Sequence, residues 1–284
     1  MSHSVVSLGV SSKRSAKKAT QVAKPEGAEP KDNSPFVPQG DKISFALHIS
    51  ARSDITSKQR ELIDIILHHD TKVVFVNGPA GTSKTWAAIY CGLKLLAERR
   101  LSHITYVRTI IESASKSLGA LPGETGDKMA PFLMPLIDKL DEFLPLAEKN
   151  QLLKENRTRG IPVNHLRGTS LNAQYIICDE AQNFSRKELT TAITRLGQFS
   201  KMIILADPLQ SDLNGSSGFI PLFDLFNDEE SRSKGIHCFS FTKDDIVRSG
   251  ILRYICERLE GSYTPPKPES MFPPHDPLRA VKSP

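Results

Sequence analysis

Short apolar runs alternate with segments of helical period through the middle of the chain. Val73–Asn77, Ile104–Arg108, Tyr175–Asp179, Met202–Ala206 and Ile236–Phe241 are apolar and rich in β-branched or aromatic residues. Strands buried on both faces of a sheet have this composition. Helical spacing runs through Lys58–His68, Trp86–Arg99, Pro131–Phe143, Arg186–Leu196 and Ile220–Phe226, and Ile246–Leu259 follows the last strand. The alternation predicts an α/β fold, a parallel sheet sandwiched between helices. In such sheets ligands bind outside the carboxyl ends of the strands.

The first strand ends in a loop of distinctive composition. Gly78-Pro79-Ala80-Gly81-Thr82-Ser83-Lys84-Thr85 leads directly into the helical pattern that begins at Trp86. This is the phosphate-binding P-loop pattern G-x-x-x-x-G-K-[ST], with Ser83 in place of its second glycine. Gly78 and Gly81 let the backbone turn tightly. Successive N–H groups then point at a triphosphate, and the helix adds its N-terminal donors and dipole. Lys84 suits the β- and γ-phosphates, and the Thr85 hydroxyl suits Mg²⁺. The expected ligands are therefore ATP and Mg²⁺. Serine fits at position 83 if the backbone there is already helical, so that no positive φ is needed.

Two further strands end in polar residues. Tyr175–Cys178 delivers Asp179-Glu180. Asp179 suits a Walker-B acid that holds Mg²⁺, and Glu180 suits a base that orients water; acids that cap the following helix are the structural alternative. Ile203–Ala206 delivers Asp207-Pro208-Leu209-Gln210. Gln210 could sense the γ-phosphate and Asp207 could orient it, whereas a plain proline turn needs neither. Upstream, Thr56-Ser57-Lys58-Gln59 supports two readings: a capping box, or a carboxamide that hydrogen-bonds the adenine edge.

Composition sets the limits. The chain has 284 residues, of which 39% are hydrophobic and 24% charged, with a net charge of +5. Six Lys/Arg face three acids in residues 1–40, and three face two in 261–284, which leaves 41–260 close to neutral. Charge alone therefore gives little support for a nucleic-acid surface on the core. Residues 1–45 read as a disordered basic tail, 46–260 as one ATPase domain, and the proline-rich 261–284 as a second tail. No apolar run reaches membrane-spanning length, and no secretory signal is evident. Cys91, Cys178, Cys238 and Cys256 lack metal-binding spacing and suit small apolar sites in a reducing, cytoplasmic setting. His68-His69 suits the end of a helix.

The residues also carry a resemblance. Gly78–Thr85, Arg108, Leu118–Gly123, Lys128–Pro131, Arg167-Gly168, Asp179–Asn183, Thr194–Gly197, Asp207–Gln210 and Asp245–Arg248 follow the order and spacing of PhoH-like ATPases. The family is similar to a single motor domain of superfamily-1 RNA helicases, so the resemblance implies a P-loop NTPase, RecA-like core. It implies ATP hydrolysis with Glu180 as base, Lys84 on phosphate, Gln210 as sensor and Arg248 near the transition-state charge. Pairing of Arg248 with Asp244 or Asp245 is the alternative for that residue. It further implies RNA or single-stranded nucleic acid as partner. A lone motor domain that borrows an arginine from a neighbour implies a homo-oligomer such as a hexameric ring. Some relatives carry a PIN-type nuclease, but the 40 low-complexity residues before this domain are too few for one, so no nuclease activity is expected. Two other classes compete. One is a nucleotide-dependent assembly module with little hydrolysis. The other is a small-molecule kinase, with Arg157, Arg159 and Arg167 as its lid.

Overall fold

The computed structural model describes residues 41, 43–109, 125–213, 216–247, 251, 254 and 258, with 125–132 as backbone only. These lie in the compact unit Val37–Pro284. In chain order the elements are α1 (Ser57–Leu67), β1 (Val73–Asn77), α2 (Lys84–Ala97), β2 (His103–Arg108), α3 (Thr125–Leu140), α4 (Leu146–Lys154), β3 (Thr158–Pro162), β4 (Gln174–Cys178), α5 (Arg186–Ile193), β5 (Lys201–Ala206), α6 (Phe219–Phe226), α7 (Glu229–Ser233) and β6 (Ile236–Ser240).

The strands form one sheet in the order β3-β2-β4-β5-β1-β6. Every pairing is parallel, with Val73 opposite both Met202 and Ile236, and Ile104 opposite both Thr158 and Tyr175. Side chains alternate between the two faces, as the strand period requires. Val74 and Val76 join Ile66, Trp86, Leu93, Tyr175 and Leu205 in a core under α1, α2 and α3. Val73 and Phe75 join Leu189, Ile204, Phe219 and Phe223 in a second core under α5 and α6. The α/β sandwich expected from the alternation is thus present. Among the described residues no helix is long and apolar enough to cross a membrane.

Several elements differ from expectation. β3 was not expected, because Thr158-Arg159-Gly160-Ile161-Pro162 lacks an apolar run. As an edge strand that pairs only with β2, it tolerates its arginine and proline. α4 and α7 were also missed. The described core already includes Ile43, which is 7% exposed, and Phe45, Leu47 and Ile49 pack against it. The expected helix 246–259 falls largely outside the described residues; Ile251, Tyr254 and Arg258 within it are helical and exposed. α1 ends at Leu67, whose carbonyl accepts from Arg100 Nη1 at 3.0 Å, while Lys201, and not an imidazole, meets the carbonyls that follow. Its Nζ donates to His68 O at 2.5 Å and Thr71 O at 2.6 Å. Burial pushes this ammonium down to about 7.

The sheet order has a direct consequence for the polar strand ends. β4, β5 and β1 are consecutive neighbours, so the segments that follow them start side by side. β6 closes the other flank of β1, where Phe241 N donates to Asn77 O at 2.8 Å. This brings Phe241 hard against the loop. A Cβ on Gly78 would lie 2.7 Å from Phe241 Cβ, closer than packed carbons approach. Gly78→Ala should therefore cost about 1–3 kcal/mol in urea unfolding. Wild-type stability in that variant would show that the approach of β6 does not constrain the loop.

Candidate functional site

The loop after β1 is built by short-range bonds. Gly78 N donates to Ala206 O at 3.2 Å, which ties the start of the loop to the end of β5. Thr82 is fully buried, and its hydroxyl donates to Pro79 O at 3.0 Å. Gln59 supports the loop from α1. Its Nε2 donates to Thr82 O at 3.2 Å, while its Oε1 accepts from Thr56 N at 3.1 Å. The capping box is complete, so both ends of this carboxamide are engaged within the protein.

Ser83 corrects the sequence reading. It caps α2 with φ +65° and ψ +30°, in the left-handed region and not in helical backbone. That is the conformation glycine adopts without cost. Gly81 also has positive φ, +89°. Lys84 opens α2, and its Nζ donates to the loop carbonyls of Gly78 at 2.5 Å and Pro79 at 2.8 Å. At the far end of the chain, Val247 N donates to Gly81 O at 3.0 Å.

Asp179 follows β4 and is 7% exposed. A buried carboxylate needs donors, and two side chains supply them. Thr85 Oγ1 donates to Oδ1 at 3.3 Å, and the Tyr106 hydroxyl donates to Oδ2. Burial pushes the Asp179 carboxyl above the usual carboxylate range; the Tyr106 bond opposes the rise and Glu180 adds to it. Burial and the Asp179 charge push the Tyr106 phenol far up, so it stays a donor. Glu180 has φ +55°, a second left-handed position. Its Oε2 accepts from Gln182 Nε2 at 2.6 Å, and Arg108 Nη2 lies 3.7 Å from Oε1. Gln182 Oε1 accepts from Asp207 N at 3.0 Å, which links the ends of β4 and β5. Asp207 caps the turn Pro208–Gln210, and its Oδ1 accepts from Leu209 N at 3.2 Å.

One cavity of about 400 Å³ gathers these groups. Of the residues singled out from sequence, Ala80, Gly81, Ser83, Lys84, Thr85, Asp179, Glu180, Asp207 and Gln210 line it. Gly78, Pro79, Thr82 and Gln59 support the loop without lining the cavity. Arg248 lies outside the described residues, although Val247 beside it lines the cavity. Arg195, within the Thr194–Gly197 segment of the family pattern, stands past the end of α5 and is not among the lining residues. Arg157 and Arg159 form no lid. Arg157 donates to Ser102 O at 3.2 Å, and Arg159 bonds Thr105 at 3.0 Å and Gln174 at 2.7 Å, in the sheet beside β2. Arg167 also lies away from the lining. Sequence reading missed Tyr106, Arg52 and Trp86. For Tyr106 the available signal was a hydroxyl-bearing aromatic in an otherwise apolar strand.

The donor set fits a nucleotide with a hard cation. Thr85 and Asp179 offer neighbouring oxygens, the ligand type Mg²⁺ takes, and the loop precedes a helix N-terminus. Two outcomes follow from the geometry. Ser83→Gly should raise stability by up to about 1 kcal/mol, because it relieves a left-handed non-glycine residue; a loss in urea unfolding would contradict the strain. Asp179→Asn should unfold at higher denaturant than wild type at pH 7. The sign follows from the raised folded-state value: the native state binds the proton more tightly, so stability is greatest below the unfolded value and falls as pH rises through the folded one. The asparagine avoids that loss, and its advantage should vanish towards pH 3.

Comparison with known proteins gives the family. The profile of the PhoH-like protein family matches residues 51–260. A PhoH-like protein of Synechocystis is 34% identical over 218 residues, covering 75% of this chain and 64% of its own length. The Bacillus subtilis PhoH-like protein is 33% identical, covering 71% and 62%. Protein PhoH2 of Mycolicibacterium smegmatis is 32% identical, covering 61% of this chain and 39% of that protein. The chain thus spans less than two thirds of these relatives. Among solved structures, a Bacteroides Pif1 in complex with ADP-AlF4 shares 15% identity at a TM-score of 0.33, over 75% of this chain and 48% of that one. By the extent of the profile match and the identity of its relatives, the chain belongs to the PhoH-like family.

Proposed function

We propose that the protein is a Mg²⁺-dependent ATPase whose hydrolysis is coupled to RNA or single-stranded nucleic acid. The observation that carries the reading is the convergence of Lys84, Thr85, Asp179 and Glu180 on one cavity, with Thr85 bonded to Asp179 across the strand ends. On this reading the loop amides and Lys84 bind the triphosphate, the lysine exchanging its bonds to loop carbonyls for phosphate oxygens. Thr85 and Asp179 would hold Mg²⁺, which neutralises phosphate charge when bound. Glu180 orients the attacking water and accepts its proton. Its left-handed backbone supports that role, since strained positions collect at working sites. Gln182 and Arg108 fix the carboxylate from two sides, and Gln210 borders the same cavity from β5. Arg248, one residue beyond Val247, completes the site within one subunit or across a homo-oligomeric ring.

Family membership supports the nucleotide reading, and the nucleic-acid coupling rests on the resemblance to a helicase motor core. The near-neutral core allows a second reading, a nucleotide-dependent assembly module that hydrolyses little. Glu180→Gln separates the two. ATPase turnover should fall by about 10²–10⁴ while ATP affinity holds; equal, near-zero rates in both chains would favour the assembly module. Adding RNA, single-stranded DNA or duplex across a salt series then tests coupling. Stimulation should fade steeply as salt rises, and a rate indifferent to every polymer would refute the coupling.

A further inference from the structure

We propose that Arg52, set over the Trp86 indole, is a base-stacking platform in the nucleotide cavity. The site then takes purine nucleoside triphosphates by phosphate and ring face, and none of its described residues makes a hydrogen-bond choice between adenine and guanine. The inference rests on the nucleotide reading above.

Both residues line the cavity together with Lys84 and Thr85. Trp86 directly follows Thr85, so the platform begins one residue from the phosphate end. The Arg52 guanidinium lies 5.2 Å from the indole centroid. The indole itself is fixed. It stacks on Tyr90 at 5.4 Å and 5°, and its centroid lies 5.4 Å from that of Phe143. Arg52 is fixed from a second side, because its Nη2 lies 3.1 Å from Glu142 Oε2. Lys139, another lining residue, bonds the other oxygen of the same carboxylate at 2.6 Å. A planar cation held this way has already lost much of its side-chain freedom, which lowers the entropy cost of binding. Its side chain remains 45% exposed.

Guanidinium planes stack on π-faces, and every nucleobase offers one. A reader of base edges is harder to find. Gln59 has both ends of its amide engaged, by Thr56 N and Thr82 O. Of the two amides that line the cavity, Gln182 is committed to Glu180 and Asp207, and Gln210 ends the turn that Asp207 caps after β5. Among the described residues, stacking is therefore what this wall offers a base. Larger purine faces should bind better than pyrimidines, with ATP and GTP nearly equal.

Trp86 is the chain's single tryptophan, so its emission reports on this wall. The full chain would be titrated with ATP, GTP, CTP, UTP and inorganic tripolyphosphate in the presence of Mg²⁺. The nucleotides should change the emission, whereas tripolyphosphate should compete for the loop without that change. ATP and GTP should bind within about threefold of each other. Arg52→Ala should weaken both by about tenfold, the low end of base-stacking energies, and leave tripolyphosphate affinity unchanged. Arg52→Lys keeps the charge but not the plane and should lose nearly as much. Native ATP affinity in both variants, or a preference of a hundredfold for ATP over GTP in the native chain, would overturn the platform. Failure of ATP and tripolyphosphate alike to bind the native chain would overturn the nucleotide reading itself.

Discussion

A carboxylate buried at the end of β4 constrains everything around it. Asp179 is held away from water, and its charge is tolerated only because two hydroxyls face it. One comes from Thr85 on the first turn of α2 and the other from Tyr106 on β2. The charge therefore pins three elements that are distant in sequence. The helix cannot slide along the sheet without breaking the Thr85 bond, and β2 cannot be repacked with an aliphatic residue at position 106 without leaving one oxygen short. Burial raises the free energy of the ionised carboxylate. Stability is thus set lower at this wall of the cavity than an apolar residue would set it.

The loop and the acids share a second trait, local backbone strain. Ser83 and Glu180 are both non-glycine residues at positive φ, and both line the same cavity. Their neighbours hold them there. Ser83 lies between the buried Thr82 and the first turn of α2, while Glu180 is gripped by Gln182 and approached by Arg108. A relaxed backbone at either point would redirect a side chain or an amide away from the cavity.

Legibility in the sequence followed burial. The central strands β1, β2, β4 and β5 were readable because each is covered on both faces, and the edge strand β6 because it keeps Ile236, Cys238 and Phe239. β3 was not readable, because an edge strand meets the core less fully and keeps Arg159, Gly160 and Pro162. The loop and the two acid-bearing strand ends were readable because their chemistry is local: glycine, lysine and threonine in fixed succession, or two acids after an apolar run. What could not be read is what depends on neighbours across the sheet. That Tyr106 serves Asp179 requires β2 to lie beside β4, and chain order alone does not give that adjacency. Arg52 falls outside every periodic segment, and only the packing of Trp86, Phe143 and Glu142 makes it part of a wall. The conformation of Ser83 was misread for a related reason: serine has no strong signature for positive φ, and the loop imposes one.

The hydrogen bond from Val247 N to Gly81 O gives the loop a mechanical aspect. Gly81 lies at the bend of the loop, and Val247 is the last described residue before position 248. This backbone bond fastens the segment that leaves β6 to the turn of the loop. A displacement of that segment is felt at the loop without passing through the sheet. The loop after β1 and the segment after β6, far apart in sequence, are thus joined directly.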